Sequence, residues 1–211
     1  FRRVLFRSWG ATLDRAYQAD FGNGANMMTI TGGHNLDALC HMLGEFREMS
    51  AFAVSQRAAI PLEGTGEMVP MDVPDQLVVS GVLAQGTVVS VQVRGGMARG
   101  QEFLCEIHGS DGDLVLAATE RASTQRQELS LQGARGKGTP LAPLAVPDAL
   151  RWVPLGTPAG SPYNVAQLYA RLARAIRDGG PMEPDFGHAV RRHRMLDMLV
   201  AASRSGRRQT T

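Results

Sequence analysis

The sequence lacks long hydrophobic runs and has few cysteines. No stretch approaches the roughly eighteen consecutive apolar residues of a membrane-spanning helix, so we predict that the chain has no membrane partner. The two cysteines, Cys40 and Cys105, lie in apolar runs and do not form a CxxC pair. We expect both to be buried and reduced, and reduced thiols are typical of a cytoplasmic protein.

The sequence also lacks a strong excess of charge of either sign. Its formal net charge is +2 at pH 7, and no dense basic stripe occurs before the last residues. Because a nucleic-acid surface requires clustered cations, we predict that the protein has no nucleic-acid partner. The chain does contain 44% hydrophobic residues over 211 positions, which is enough for one domain with a sizeable core.

The two ends of the sequence differ from the rest. Residues 1–8 read FRRVLFRS, which contains no initiator methionine and none of the regions of a signal peptide. This octapeptide resembles the translated end of a sequencing adapter, so we expect a non-native leader and set it aside from the fold. We expect residues 9–206 to form one domain, incomplete at its N-terminal edge, in a chain that begins inside a longer gene. Residues 207–211 are expected to be a disordered tail.

The order of hydrophobic patterns between the ends indicates the fold class. A helical pattern at residues 22–44 comes first, a block of strand patterns follows, and helical patterns at 161–177 and 184–203 close the chain. The strand patterns cover residues 46–56, 75–84, 87–94, 101–109, 113–118 and 127–132, with a short edge strand at 150–155. Strands in a block between helices predict an α+β domain: one open, mostly antiparallel mixed sheet with helices packed on one face. Residues 9–20, 58–74 and 133–147 are expected to be loops.

The helical pattern at residues 22–44 carries two stripes. Its apolar stripe, typical of a core-facing helix surface, consists of Met28, Gly32, Leu36, Leu39 and Leu43. Its second stripe, at the same period, consists of Asn26, Ile30, His34, Asp37 and His41. The Gly32-Gly33 pair inside the pattern predicts a close approach by another backbone or by a ligand.

The second stripe offers candidates for chemistry. His34 titrates near neutrality and suits proton transfer at a hydroxyl group, although a helix histidine can equally make a local hydrogen bond. Asp37 is spaced either to orient His34 or to pair with His41 one turn later. Asn26 is either a cap residue or a contact for a ligand. His34, Asp37 and His41 lack a fourth ligand, so we predict no metal site.

Three stretches of the sequence resemble one protein family. The run GNGANMMTITGGHNLDALCHMLGEF is similar to the first helix of the C-terminal domain in the glucose–fructose oxidoreductase / inositol dehydrogenase (Gfo/Idh/MocA) family, in the branch of the galactose-regulon repressor. EIHGSDGDLVL is similar to the family's glycine-turn hairpin, and residues 184–203 are similar to its closing helix. The resemblance covers about residues 14–206. The family's N-terminal dinucleotide-binding domain, with its GxGxxG turn and its Glu-Lys-Pro segment bearing the catalytic lysine, does not occur in this sequence.

The resemblance implies a function for the intact parent protein. It implies an NAD(P)-dependent oxidoreductase that transfers a hydride between nicotinamide and a sugar, polyol or related hydroxyl compound, with NAD or NADP bound mainly by the missing domain. This chain is then the substrate and oligomerisation domain, with His34 catalytic and with Asn26, Ile30 and Asp37 substrate-binding. Alone, the chain is expected to be inactive and to bind little dinucleotide.

One departure from the family pattern leaves a second function open. The dehydrogenases usually carry an acidic residue four positions before the histidine, and this sequence has Ile30 there. An isoleucine side chain can neither relay a proton nor accept a hydrogen bond. The alternative is a non-catalytic, dinucleotide-binding sensor of the repressor type.

Two further surfaces complete the expectations. The basic run His188, Arg191, Arg192, His193 and Arg194 is expected to be a solvated helix face. A polar sheet face is expected from Ser90, Gln92, Arg94, Glu102, Glu106 and His108, while the opposite face absorbs the apolar stripes of all three helices. The resemblance implies that subunits pair through the uncovered face, giving a homodimer or homotetramer.

Overall fold

The structure is a computed structural model. It describes residues 2–6, 11–95, 102–118 and 124–211, with side chains from residue 11 onward. The strands are β1 (Arg2–Phe6), β2 (Phe46–Val54), β3 (Ala59–Pro61), β4 (Met68–Pro70), β5 (Gln76–Leu83), β6 (Val88–Gly95), β7 (Phe103–His108), β8 (Gly112–Ala118), β9 (Ser130–Arg135), β10 (Ala142–Pro143) and β11 (Gln209–Thr210). The α-helices are α1 (Gly33–Leu43), α2 (Ser161–Asp178) and α3 (Phe186–Ser205).

Nine of these strands form one sheet in the order β10-β9-β8-β7-β1-β6-β5-β2-β11, and β3 and β4 form a separate hairpin. All neighbouring pairs in the large sheet are antiparallel except β1 and β6, which are parallel. The predicted α+β architecture with an open, mostly antiparallel mixed sheet is therefore confirmed.

The centre of the sheet follows directly from the alternation of valines with polar residues. Val79 pairs with Val91, and Ser80 pairs with Ser90, in the register of β5 and β6. Because neighbouring residues of a strand point to opposite faces, the valines lie on one face and the serines on the other. Val79 and Val91 are at most 1% exposed, whereas the two serines are exposed.

Helices α1 and α3 cover the valine face and form the core with it. The predicted apolar stripe of the first helix is confirmed, since Met28, Leu36 and Leu39 are each 1% exposed. From α3, Leu199 is fully buried in the same cluster. The packing of α1 and α3 against the sheet therefore fixes the position of the second stripe, which runs along the first helix.

Helix α2 departs from the expected arrangement. It has the predicted bounds to within one residue, but none of its residues is buried. Its apolar stripe is exposed to between 37% and 73%, and consists of Val165, Leu168, Leu172 and Ile176. The expectation that one sheet face absorbs the apolar stripes of all three helices is therefore wrong for α2, whose contacts with the rest of the chain include hydrogen bonds. Gln167, for example, accepts from the Trp152 backbone and donates to the Leu150 carbonyl, at 2.8 and 2.9 Å.

Both ends of the chain take part in the sheet. Residues 1–8 were set aside from the fold, yet Arg2–Phe6 form strand β1 between β6 and β7. A disordered tail was expected at residues 207–211, yet Gln209–Thr210 pair with β2 as strand β11. Sheet pairing can recruit such short segments because an edge or gap presents unpaired backbone groups whatever the side chains are.

Three irregular segments also differ from expectation. Leu13–Ala19 form a 3-10 helical segment, and the predicted loop at residues 58–74 contains the β3–β4 hairpin. The predicted edge strand at residues 150–155 is wrong: Asp148–Leu150 form one 3-10 turn, and no strand follows within 150–155. Pro154 lacks the backbone donor that a strand needs. Within the described residues, no helix combines the length and hydropathy that crossing a bilayer requires.

Candidate functional site

The site begins at a turn that starts the first helix. Gly24 has a φ of 71°, which glycine adopts without steric cost. Just beyond it, the Asn26 side chain accepts hydrogen bonds from the backbone N–H groups of Met28 and Thr29, at 3.0 and 3.2 Å. The Thr29 hydroxyl donates to the Gly24 carbonyl at 2.7 Å. Asn26 is thus a cap residue, and with 1% exposure it has almost no surface left to contact a ligand.

The helix then opens with a wide turn. Met28–Gly32 form a π-helical turn before the regular helix α1 begins at Gly33, and such turns occur frequently at functional sites. A Cβ atom on Gly32 would lie 3.3 Å from Cδ2 of Leu77, and one on Gly33 would lie 3.7 Å from Cδ1 of Leu196. The glycine pair therefore allows the helix to pack closely against β5 and α3. Core side chains make the close approach, not a ligand.

His34 lies on the first turn of α1 and faces away from the core. Its side chain is exposed, and within the described part of the chain it makes no hydrogen bond. Ile30, one turn earlier, is half-buried. The outer surface of this helix therefore presents an imidazole with both ring nitrogens available, next to an apolar side chain.

Asp37 does not interact with either histidine of its own stripe. Its Oδ1 atom lies 2.7 Å from Nε2 of His188 and 2.9 Å from Nε of Arg192, both on α3. The hypotheses that Asp37 orients His34, or pairs with His41, are therefore wrong. The carboxylate points sideways across the helix–helix contact, where the guanidinium of Arg192 donates a charge-assisted hydrogen bond.

Arg192 is the centre of the network between α1 and α3. It is 7% exposed, and its Nη1 and Nη2 atoms bind both oxygens of Glu45 at 3.0 and 2.8 Å. The expectation that the basic run of α3 is a solvated face is therefore wrong for Arg192 and for the half-buried His188, and it holds for the exposed Arg191, His193 and Arg194. Helical spacing was the missed signal, since Arg192, Leu196 and Leu199 follow each other at steps of four and three.

This network sets the local electrostatics. The hydrogen bond from Arg192 is the main reason that the pKa of Glu45 is lowered. Burial raises the pKa of the nearby Cys40 thiol to about 12, so Cys40 is not a nucleophile at neutral pH. Burial also raises the pKa of Cys105. Both cysteines are free and buried, as predicted.

Within the residues described by the structure, no side-chain cluster suits a metal ion, and the backbone N–H groups of Gly22 and Gly95 are occupied. Across the described ranges, no group of three or more His, Cys, Asp or Glu side chains converges on a point that could hold a metal ion. A pyrophosphate cradle needs a glycine-rich turn between a parallel strand and a helix. Here the Gly22 N–H donates to Asp20, and the Gly95 N–H donates to the Asp75 carbonyl. These two amides are therefore used within the fold and are not free to bind phosphate.

The fold and this helix define a class of protein: the C-terminal α+β domain found in Gfo/Idh/MocA-type proteins. The family model described as Gal80p, C-terminal domain, matches residues 6–118. That match spans more than half of the chain, and the chain belongs to this family.

Two curated proteins show the same relationship. The galactose/lactose metabolism regulatory protein GAL80 of Saccharomyces cerevisiae is 32% identical over 137 residues, which cover 60% of this chain and 32% of that protein. The dehydrogenase aclE of Aspergillus oryzae is 50% identical over 38 residues, which cover 18% of this chain and 10% of that protein. The matched segments therefore span about a third or less of the length of these relatives.

Solved structures share the fold over the whole chain. A super-repressor mutant of Gal80p from Saccharomyces cerevisiae has a TM-score of 0.82 at 20% identity, covering 99% of this chain and 56% of that chain. Levoglucosan dehydrogenase in complex with NADH and levoglucosan has a TM-score of 0.78 at 21% identity, covering 100% and 57%. One fold is thus shared by a regulator and by an NADH-binding dehydrogenase.

Proposed function

We propose that this chain is the C-terminal, substrate-facing domain of an NAD(P)-dependent oxidoreductase that acts on the CH–OH group of a sugar, a polyol or a related compound. One observation carries the proposal: His34 is exposed and has no hydrogen-bond partner among the described residues, on a helix that the core holds rigidly. The fold shared with a dehydrogenase that binds NADH supports it.

His34 is the proposed catalytic residue. Its imidazole accepts the proton of the substrate hydroxyl during oxidation and returns it during reduction, which requires a heavy-atom distance of roughly 2.6–3.2 Å. Imidazole suits this role because its unperturbed pKa lies close to physiological pH. A nicotinamide cofactor, held outside the described residues, would supply the hydride acceptor.

The other three predicted site residues support His34 in different ways. Ile30 lies one turn earlier and offers an apolar surface that excludes water but moves no proton. Asn26 stabilises the first turn of the helix by accepting two cap hydrogen bonds. Asp37 ties α1 to α3 through Arg192, which fixes the helix on which His34 stands.

The test is a steady-state assay of the full-length protein that contains this chain, with NAD and NADP and a panel of sugars and polyols. We expect His34→Ala to lower kcat/KM by roughly 10²–10⁴-fold. His41→Ala is the matched control, because His41 is exposed on the same helix two turns later. Normal turnover by His34→Ala, or an equal loss in both variants, would show that the assigned role is wrong.

A second function is favoured by a different observation. Ile30 stands where the family's dehydrogenases usually carry an acid, and the chain is 32% identical to a regulatory protein over 137 residues. On this alternative, the parent is a sensor that binds dinucleotide and a protein partner without catalysis. The same assay separates the two, because a sensor binds dinucleotide and turns over none of the panel.

A further inference from the structure

A cavity lies beside the first helix, outside the surface that carries His34. It has a volume of about 440 Å³ and opens between the 3-10 segment Leu13–Ala19, the β3–β4 hairpin and the start of β5. Clefts of roughly 300–1,000 Å³ are the usual size of small-molecule sites. Neither Ile30 nor His34 lines it, so it is a second candidate site on this chain.

Backbone hydrogen bonds hold two segments together at the rim of the cavity. The Ala11 N–H donates to the Pro61 carbonyl at 3.0 Å, and the Glu63 N–H donates to the Ala11 carbonyl at 2.9 Å. The start of the 3-10 segment is therefore fixed against the loop of the β3–β4 hairpin. Asp14 from the first segment and Glu63 from the second line the same cavity as a result.

The charged side chains of the rim are not balanced. Among the described lining residues, the exposed ones with a charge are the carboxylates of Asp14 and Glu63 and the guanidinium of Arg15. Within the described part of the chain, none of these three side chains makes a hydrogen bond or an ion pair. The rim therefore has an excess of negative charge, and both carboxylates are available to a ligand.

The floor of the cavity is apolar around one ion pair. Ala19, Met27 and Val73 line it and are between 3% and 7% exposed. Nε of Arg57 lies 3.3 Å from Oδ2 of Asp75, which is 6% exposed. Because the charges of this pair cancel, the floor does not offset the negative charge of the rim.

We propose that this cavity binds a small organic cation, namely a protonated amine on a compact apolar ring or chain. An ammonium group has three donors and no acceptor, so it matches the two carboxylates of the rim. Attraction between opposite charges favours it over a neutral ligand, modestly, because the rim is exposed to water. The hydrocarbon body gains by leaving water for the apolar floor. The proposal goes beyond the oxidoreductase function, since binding requires neither His34 nor a cofactor.

The test is a titration of the isotopically labelled chain, followed by amide NMR shifts near neutral pH. The probes are cyclohexylamine, cyclohexanol and cyclohexanecarboxylate, which share one ring and differ in charge. We expect cyclohexylamine to shift the amides of Thr12, Arg15 and Val73 saturably. We expect cyclohexanol to bind about threefold to tenfold more weakly, and cyclohexanecarboxylate more weakly still. Added salt is expected to weaken cyclohexylamine and to leave cyclohexanol nearly unchanged, because salt screens exposed charges.

Three variants assign the selectivity to the rim. Asp14→Asn and Glu63→Gln each remove a carboxylate, and we expect each to weaken cyclohexylamine about threefold to tenfold without weakening cyclohexanol. Arg15→Gln removes the cation of the rim and is expected to tighten cyclohexylamine. Glu67→Gln is the matched control, because Glu67 is exposed in the same hairpin loop but lies outside the lining. All four side chains are exposed, so the variants are expected to fold.

Several outcomes would overturn the proposal. One is the absence of a saturable shift with cyclohexylamine. Another is binding of cyclohexanol or cyclohexanecarboxylate that is as tight as that of cyclohexylamine. A third is an affinity for cyclohexylamine that Asp14→Asn and Glu63→Gln leave unchanged, or that Glu67→Gln lowers equally. None of these results bears on the His34 assay, so the two proposals fail separately.

Discussion

At the scale of single residues, position on the helix circumference decides what each side chain of the second stripe can do. His34 and Asp37 are only three positions apart, yet His34 is exposed while Asp37 binds His188 and Arg192 on α3. The small angular step between them is enough to move Asp37 into the helix–helix contact. The second stripe therefore comprises two surfaces. His34 belongs to the one that faces outward, and Asp37 belongs to the one that binds α3.

Replacing Arg192 tests that anchor. We expect Arg192→Met to lower the free energy of unfolding by about 1–3 kcal/mol, because Asp37 and Glu45 lose a buried cation but stay partly solvated. Urea unfolding measures the change. Arg191→Met is the control: Arg191 is half exposed and 3.6 Å from Glu183, so less than about 0.5 kcal/mol is expected. Equal losses in the two variants would mean that the network does not stabilise the fold.

The same network predicts how stability depends on pH. Because Arg192 lowers the pKa of Glu45, the ionised carboxylate stabilises the folded state above its ordinary pKa of about 4.3, and this contribution disappears as the pH falls through the folded pKa. Glu45→Gln should thus cost less than about 1 kcal/mol at neutral pH, since Glu45 is half exposed. The cost should shrink in acid. Urea unfolding at pH 7 and near pH 3.5 measures both, with exposed Glu128→Gln as control; a cost that grows in acid contradicts the assignment.

At the scale of elements, two helices with similar sequence patterns have different roles. Both α2 and α3 carry apolar residues at helical spacing, but α3 buries Met195, Leu196 and Leu199 while α2 buries none. The chain that precedes α2 differs as well, because residues 136–151 are exposed throughout and join the sheet only through the edge strand β10. Periodicity identifies a helix and its apolar side, but not whether anything within the chain covers that side.

Truncating a leucine in each helix measures the difference. We expect Leu199→Ala to cost about 2–5 kcal/mol, because the side chain is fully buried against the sheet. We expect Leu172→Ala to cost less than about 1 kcal/mol, because the side chain is 37% exposed in this chain. Thermal or urea unfolding of the two variants decides the matter. A cost for Leu172→Ala as large as that for Leu199→Ala would show that α2 belongs to the core.

At the scale of the whole molecule, one face of the sheet is left uncovered by the residues that the structure describes. It is polar as predicted at Ser90 and Gln92, but it also presents Phe52 and Val78, which are 63% and 42% exposed and pair directly in the β2–β5 register. Glu102 was expected on this face and is instead buried, at 3% exposure. Large exposed apolar residues surrounded by polar ones are typical of a protein–protein interface.

The oligomeric state of the intact protein tests this face. We predict a homodimer or homotetramer by light scattering at micromolar concentration, and dissociation by Phe52→Lys. Ile176→Lys is the control, because Ile176 is 73% exposed on α2, outside the large sheet. A strictly monomeric mass of the unmodified protein contradicts the prediction. Dissociation by Ile176→Lys alone would move the interface to α2.

Calorimetry tests where the cofactor site lies. We predict that this chain alone shows no dehydrogenase activity and no micromolar affinity for NAD or NADP, because the amides of Gly22 and Gly95 are used within the fold. The titration is done with each dinucleotide in turn. A micromolar dissociation constant for either one would place a cofactor site within these 211 residues.

The sequence by itself determined the fold class, most strands of the large sheet and the apolar stripe of the first helix. These are local properties: alternation and helical spacing depend on neighbours along the chain, so they can be read without a partner. Even the family resemblance rests on such local runs.

Only the tertiary structure decided which side chains meet across the fold. Arg192 and Glu45 are 147 residues apart in the sequence and yet form a hydrogen bond. No sequence motif indicates this pair or the ion pair between Arg57 and Asp75. Strand β1 and strand β11 join the sheet through backbone groups, which the side-chain pattern does not record. Such contacts depend on the packing of distant elements, where burial converts an ordinary surface charge into a fixed, paired one. Sequence patterns do not record which distant elements pack together. The network that ties α1, the helix of His34, to α3 therefore appears only in the folded chain.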